Sequence, residues 1–234
     1  MKPLGHKAYG SIPHLPGSKR GPGDKGLTAH QAAILTDRMR PGDRIYVTEK
    51  LDGSNVAVAK IVGQIVPLGR AGYRAETSRQ RQHQLFADYV FRHWAAFDSL
   101  LDEGERVCGE WLAMAHSIRY DLHGRPPLAA FDLMREHDRV PYARFVQRTA
   151  GVGDVMGCVP LIHQGGPLSV AEAIALVRVS QYGAVDAPEG VVYRVERHGV
   201  CDFLGKYVRP DFVPGRLFAR VTGKAEVWNW APDR

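Results

Sequence analysis

The chain has 234 residues, 44% of them apolar and 24% charged, with a net charge of +6. That is an ordinary globular composition with ample length for a core. No apolar run approaches the roughly 20 residues of a membrane span, and Met1-Lys2-Pro3 does not open a signal peptide, so a soluble cytoplasmic protein outside the membrane is expected.

Residues 1–43 are rich in Gly and Pro and carry one predicted helix, at about Thr28 to Met39. Thr28 caps it, and Gln31 stands three residues on in a capping box. This segment is expected to pack as an extension on a main domain of residues 44–234. Arg44 to Lys50 and Val56 to Pro67 read as a hairpin of two strands joined through Lys50-Leu51-Asp52-Gly53. Ser78 to Leu101 has the spacing of one long amphipathic helix. Leu85, Tyr89, Phe91, Trp94 and Phe97 supply its apolar surface, and Gly104 closes it. Arg106 to Leu112 and Leu128 to Met134 are predicted strands, Tyr142 to Ala150 a helix, and Val159 to His163 a short strand. Ser169 caps a helix reaching Ser180, with Glu172 completing a second capping box. Val191 to Glu196 and Val200 to Val208 are predicted strands meeting at His198-Gly199. Antiparallel strands with helices on their faces make an α+β domain.

Cys108, Cys158 and Cys201 are far apart and lack metal-ligand spacing, so reduced thiols are expected. The ten histidines show no His-x-x-x-His pair, and zinc is not indicated. Gly17 to Lys25 is glycine-rich and basic but lacks Gly-Lys-[Ser/Thr]. It is no P-loop, and is expected as a loop beside a bound polyanion or as a plain surface loop. Positive charge gathers there and at Arg70, Arg74, Arg79 and Arg81, which suits a polyanionic partner.

Most of the chemical content lies in Lys50-Leu51-Asp52-Gly53-Ser54-Asn55. The lysine stands at a strand end, and the glycine lets backbone approach a ligand. A lysine amine attacks phosphorus only without its proton. Its ordinary pKa is about 10.4, so burial or a neighbouring cation has to lower it. Alone, Lys-x-Asp-Gly better describes an ordinary strand ending in a turn. Four more segments follow in order: Val107-Cys108-Gly109-Glu110-Trp111-Leu112, Ala129-Ala130-Phe131-Asp132, Glu189-Gly190-Val191-Val192-Tyr193-Arg194 and Leu204-Gly205-Lys206-Tyr207-Val208-Arg209.

This ordered set, from Glu49 to Arg209, resembles the covalent nucleotidyltransferase superfamily and most closely the ATP-dependent RNA ligase family. The resemblance implies an ATP-grasp-like nucleotidyltransferase domain of antiparallel sheets flanked by helices. The tail after Arg209 is too short for the OB-fold domain of DNA ligases and capping enzymes, so a stand-alone catalytic domain is expected. The implied chemistry is ligation with ATP and Mg²⁺ or Mn²⁺. Lys50 takes AMP from ATP as a lysyl-AMP phosphoramide and passes it to a 5′-phosphate, and a 3′-hydroxyl then seals the break. RNA is the expected substrate ahead of DNA, and a monomer is expected. A minimal DNA nick ligase and a non-sealing nucleic-acid-end binding protein stay as alternatives.

Further roles follow from the same resemblance. Lys206 contacts the α-phosphate and, as a cation, depresses the pKa of Lys50. Glu189 is the metal ligand, and Glu110 orients the ribose or an outer-shell water. Glu49 reads adenine mainly through its backbone, and Phe131 either stacks on adenine or belongs to the core. Asn55 contacts ribose or 5′-phosphate, or is a turn residue. Arg70 and Arg74 compete for one arginine that holds ribose or 5′-phosphate. Asp52, also on the nucleotide side, does not separate RNA from DNA ligases. His116 and Arg119 are placed on RNA phosphate, with local ordering as the other reading of His116. Arg209 either replaces a lysine absent at Leu204 or touches RNA.

Overall fold

The computed structural model describes residues 1–232. In chain order its elements are α1 (Ala29–Thr36), β1 (Asp43–Lys50), β2 (Ser54–Ile61), β3 (Gln64–Gly69), α2 (Arg81–Arg92), α3 (Trp94–Leu100), β4 (Glu105–Trp111), β5 (Leu128–Arg135), β6 (Asp138–Arg139), α4 (Tyr142–Thr149), β7 (Gly157–Cys158), β8 (Leu161–Gly165), α5 (Val170–Leu176), β9 (Gly190–Arg197), β10 (Val200–Val208) and α6 (Ala219–Thr222). They build two largely antiparallel sheets. One has the order β10-β9-β1-β8, and the other β3-β2-β4-β5-β6 with β7 parallel to β5. Among the described residues, no helix is long and apolar enough to cross a membrane.

Alternation along the strands sends side chains to two faces. On the first sheet, Ile45, Val47, Val191, Tyr193 and Val195 pack against Leu35 of α1 and Ala173 of α5. On the second, Val56, Val58, Val107, Trp111 and Leu133 pack against Phe86, Val90, Phe97 and Phe145 from α2, α3 and α4. Each sheet is thus helix-covered on one face, and the faces left over bound a cleft.

Both capping boxes form: Gln31 N donates to Thr28 Oγ1, and Glu172 N to Ser169 Oγ. The helices stop early, at Thr36 and Leu176. Three expectations need correction. First, β1 and β2 are not a hairpin. β1 pairs with β8 and β9, and β2 with β3 and β4, so residues 51–53 cross from one sheet to the other. Second, the run from Val56 to Pro67 is two strands. It turns at Val62 and Gly63, both at positive φ, where the Glu103 carboxylate accepts both amides at 2.5 and 2.9 Å. Third, the long helix breaks at His93 into α2 and α3. Gln82, Phe86, Tyr89 and Val90 fix which face of α2 is buried, and Phe91 and Trp94 are left 45% and 57% exposed. Gly104 lies beyond the helix, in the turn before β4, and the strand expected at Val159 to His163 runs from Leu161 to Gly165.

Residues 13–19 run along β10. Lys206 N donates to the Pro13 carbonyl, Leu15 N to the Lys206 carbonyl and Lys19 N to the Val208 carbonyl. A buried polar clasp joins the two sheets: Arg194 of β9 donates to Asp132 Oδ1 of β5 at 2.7 Å. Tyr9 and Arg139 donate to Asp132 Oδ2 at 2.5 and 3.0 Å.

Candidate active site

Strand register assembles the polar cluster. Lys50 ends β1 opposite Gly190 of β9, and Gly190 stands opposite Val208 of β10. Glu189, one residue before Gly190, therefore meets Lys50, and Lys206 lies two residues along β10. A Cβ at Gly190 would collide with the Tyr207 carbonyl, so close strand approach requires glycine there. Across the cleft, Asn55 of β2 stands opposite Glu110 of β4. Gly53 is also needed for space: a Cβ would lie 2.5 Å from the Trp111 carbonyl oxygen.

The cleft measures about 720 Å³, with Lys50, Asn55, Arg70, Arg74, Glu110 and Lys206 on its walls. A narrower recess of about 100 Å³ continues from it, between Phe131 on one sheet and Val192 and Leu204 on the other. Tyr9 and Ile12 line both spaces. Sequence reasoning missed these two, because nothing local in Gly-rich residues 1–12 marks them as wall.

Lys50 Nζ donates to Glu189 Oε2 at 2.7 Å. Burial disfavours the ammonium, but Glu189, Glu110 and Asp52 together outweigh it, so the Lys50 pKa is raised above its ordinary value. This corrects the expectation of a depressed nucleophile: Glu189 masks it. Lys206 goes the other way, lowered by burial and then by the charge of Lys50. Burial pushes Glu110 up to about 8, against the opposing pull of Lys50. Its Oε1 accepts the Gly53 amide at 3.1 Å. Glu189 is likewise raised, first by burial.

Among the described residues no three His, Cys, Asp or Glu side chains form a ready metal cage. Mg²⁺ is commonly held by one or two carboxylates plus substrate phosphates. Glu189, ion-paired with Lys50 at 2.7 Å, is a hard-oxygen donor that fits such an ion.

Glu49 is 2% exposed, and its Oε2 accepts the Gln181 amide at 3.0 Å. Strand alternation turns it away from Lys50. Glu49 Oε1 and Asn55 Oδ1 are buried with no hydrogen-bond partner among the described residues. Phe131 meets Tyr9 edge-on at 4.9 Å and forms one wall of the recess. Arg70 donates to Ser11 Oγ at 3.1 Å, while Arg74 pairs with Glu76 at 3.3 Å. Both reach the cleft.

Four other residues behave differently. Asp52 Oδ2 accepts the amides of Ser117 and Ile118 at 2.7 and 3.0 Å, so this oxygen anchors the crossover loop. His116 bonds Gln82 Oε1 at 3.0 Å, and burial lowers its pKa. This hydrogen bond fits the reading of His116 as a locally ordered side chain. The Arg119 guanidinium forks onto Asp186 at 3.0 Å and lines neither space around Lys50. Arg209 donates to the Pro188 carbonyl at 2.6 Å and to Asp211 at 2.9 Å, and its amide donates to the Glu189 carbonyl at 3.0 Å. It holds the loop that carries Glu189. The Gly17–Lys25 loop packs on β10, with His14 pairing Asp24 at 3.2 Å close to Lys206.

A sequence model described as RNA ligase matches residues 43–208. No curated protein matches the chain. Solved structures do. The Naegleria gruberi RNA ligase with PPi is 17% identical over 84% of this chain and 59% of that one, with a TM-score of 0.54. A lysine-to-alanine mutant of the same protein with ATP and Mn gives 17% identity, 84% and 58% coverage, and a TM-score of 0.52. An archaeal ATP-dependent RNA ligase is 22% identical over 71% of this chain and 43% of that one, with a TM-score of 0.48. The chain thus spans about half the length of these structures, and the Naegleria gruberi likenesses show a shared fold.

Proposed function

The chain belongs to the RNA ligase family, and we propose that it is an ATP-dependent RNA ligase working through a lysyl-AMP intermediate. The observation that carries this reading is the meeting of Lys50, Glu110 and Lys206 on the wall of one cleft of nucleotide size, with Glu189 bonded to Lys50. Naegleria gruberi RNA ligase structures with ATP and Mn add support from a protein of the same fold.

ATP lies with adenine at the recess, against Phe131, Val192 and Leu204, and with its purine edge along the backbone at Glu49. Asn55 meets the ribose, and Arg70 or Arg74 steadies ribose or a 5′-phosphate with a planar fork of donors. Lys206 faces the α-phosphate. Lys50 must first leave Glu189 and lose its proton. Its amine then attacks the α-phosphorus: a P–N bond forms, the P–O bond to pyrophosphate breaks, and pyrophosphate leaves with the electron pair. The RNA 5′-phosphate next displaces Lys50 from AMP, and a 3′-hydroxyl displaces AMP to close the phosphodiester. Positioning and charge neutralisation supply most of the rate in such transfers. Bound Mg²⁺ or Mn²⁺ would neutralise phosphate charge, Glu189 would hold it, and Glu110 would orient the ribose or an outer-shell water.

The reading includes a cytoplasmic monomer in which residues 1–43 form an extension packed on the catalytic domain, residues 44–234. The pairing of Pro13, Leu15 and Lys19 with β10 supports that packing. The test is sealing of 5′-phosphorylated nicks in RNA and DNA duplexes at one salt concentration. RNA-containing nicks are expected to seal faster. Faster sealing of all-DNA nicks would reverse the substrate preference, and no sealing of either would remove the activity.

A further inference from the structure

A second cleft, of about 640 Å³, opens beside the first and shares Ser54 with it. Its wall is basic. Arg79 and Arg81 come from the entry to α2 and Arg220 from α6, all exposed, and Glu226 is the single acid on the lining. Among the described residues none of these three arginines lies within ion-pairing distance of a carboxylate, whereas Arg74 and Arg119 pair with Glu76 and Asp186. Arg220 lies over the Phe218 ring at 5.0 Å, and Arg81 over Trp228 at 5.4 Å. Unpaired arginines beside an aromatic face make a surface for phosphates and stacked bases.

This wall is tied to the nucleophile. Asp52 holds the amides of Ser117 and Ile118, Ser117 Oγ accepts the Gly215 amide at 2.7 Å, and the His116 carbonyl accepts the Leu217 amide at 2.9 Å. Residues 215–217 are therefore held in register with the loop that follows Lys50. At the junction, Ser54 Oγ donates to Gln82 Oε1 at 2.9 Å, and the His116 ring stands against Phe218 at 4.8 Å.

We propose that this second cleft seats the sugar–phosphate backbone of an RNA strand whose reacting end lies in the catalytic cleft, with Arg79, Arg81 and Arg220 on phosphates and Phe218 under a base. The inference rests on the ligase reading and adds the path of its substrate. None of these four residues touches the proposed nucleotide, so they act on RNA binding and not on AMP uptake.

The test compares wild type with an Arg79→Ala, Arg81→Ala, Arg220→Ala triple variant. Binding of a short 5′-phosphorylated fluorescent RNA is followed by anisotropy across a salt series, and AMP uptake is followed by intact mass. The triple variant is expected to take up AMP as wild type does and to lose about tenfold or more in RNA affinity. Its slope of log K against log salt should shrink by about 2, because each single-strand phosphate contact contributes about 0.7. Unchanged affinity and slope would overturn the inference and leave the ligase reading standing. A wild type that takes up no AMP would instead remove that reading. Arg220→Ala alone, on the exposed α6, carries the same prediction at about one contact and serves if the triple variant misfolds. Equal binding of polyglutamate through the same arginines would overturn the inference in favour of an acidic protein partner.

Discussion

Lys50 is held by the Glu189 carboxylate at 2.7 Å, and this fixes what substitution should do. Glu189→Gln removes the nearest charge that keeps the Lys50 ammonium stable. An amine-directed reagent should then modify Lys50 faster at alkaline pH, read by peptide mass mapping. AMP uptake should fall about 100-fold, as losing one electrostatic group in a water-poor site commonly costs. Faster AMP uptake by this variant would make Glu189 purely a mask. Glu110 makes a pH prediction. The folded carboxyl keeps its proton to about 8, whereas 4.5 is its ordinary value. Between these values the folded state binds more protons than the unfolded one. That contribution to stability is complete below the lower value and is lost as pH rises through the upper one. Glu110→Gln keeps the Gly53 hydrogen bond and removes the titration, so its Tm should fall less than wild type between about pH 5 and pH 9. A parallel fall would place the titrating group elsewhere.

At the scale of elements, the clasp on Asp132 joins the two sheets that wall the cleft. Asp132→Ala would leave Arg194 buried without its carboxylate across the sheets, and removing one partner of a buried pair costs about 3–5 kcal/mol. For a chain of this size a loss of about 10 °C in Tm is expected, read by calorimetry. No shift would mean that the clasp is dispensable. Both capping boxes and most strands were legible, because caps and alternation are local signals. The crossover at Leu51-Asp52-Gly53 was not, because a turn into a neighbouring strand and a crossing into another sheet use the same residues. Partners far along the chain decide between them: Trp111 above Gly53, and Ser117 and Ile118 on Asp52. The break at His93 was hidden for a similar reason, since no Pro or Gly marks it. Lys50, Glu110, Glu189 and Lys206 were found from ordered motifs and do gather. The partners of Arg119 and Arg209 were not legible, because a basic residue near a motif says nothing about the carboxylate or carbonyl that takes it up. Tyr9 and Ile12 carry no motif and reach the cleft only through tertiary packing.

At the scale of the whole molecule, two sheets with helices on their outer faces leave a cleft between them, and the chain as a whole carries a net charge of +6. Positive charge favours nucleic-acid binding whether or not ends are sealed, so affinity for RNA would not separate a ligase from an end-binding protein. Covalent chemistry at Lys50 does. The most direct measurement is the intact mass of the purified protein after incubation with ATP and Mg²⁺, with Lys50→Ala beside it and a pyrophosphate-treated sample as the control for prior loading. A gain of one AMP by the wild type alone, reversed by pyrophosphate, is the predicted result. No mass change in any sample, or equal labelling of Lys50→Ala, would contradict it.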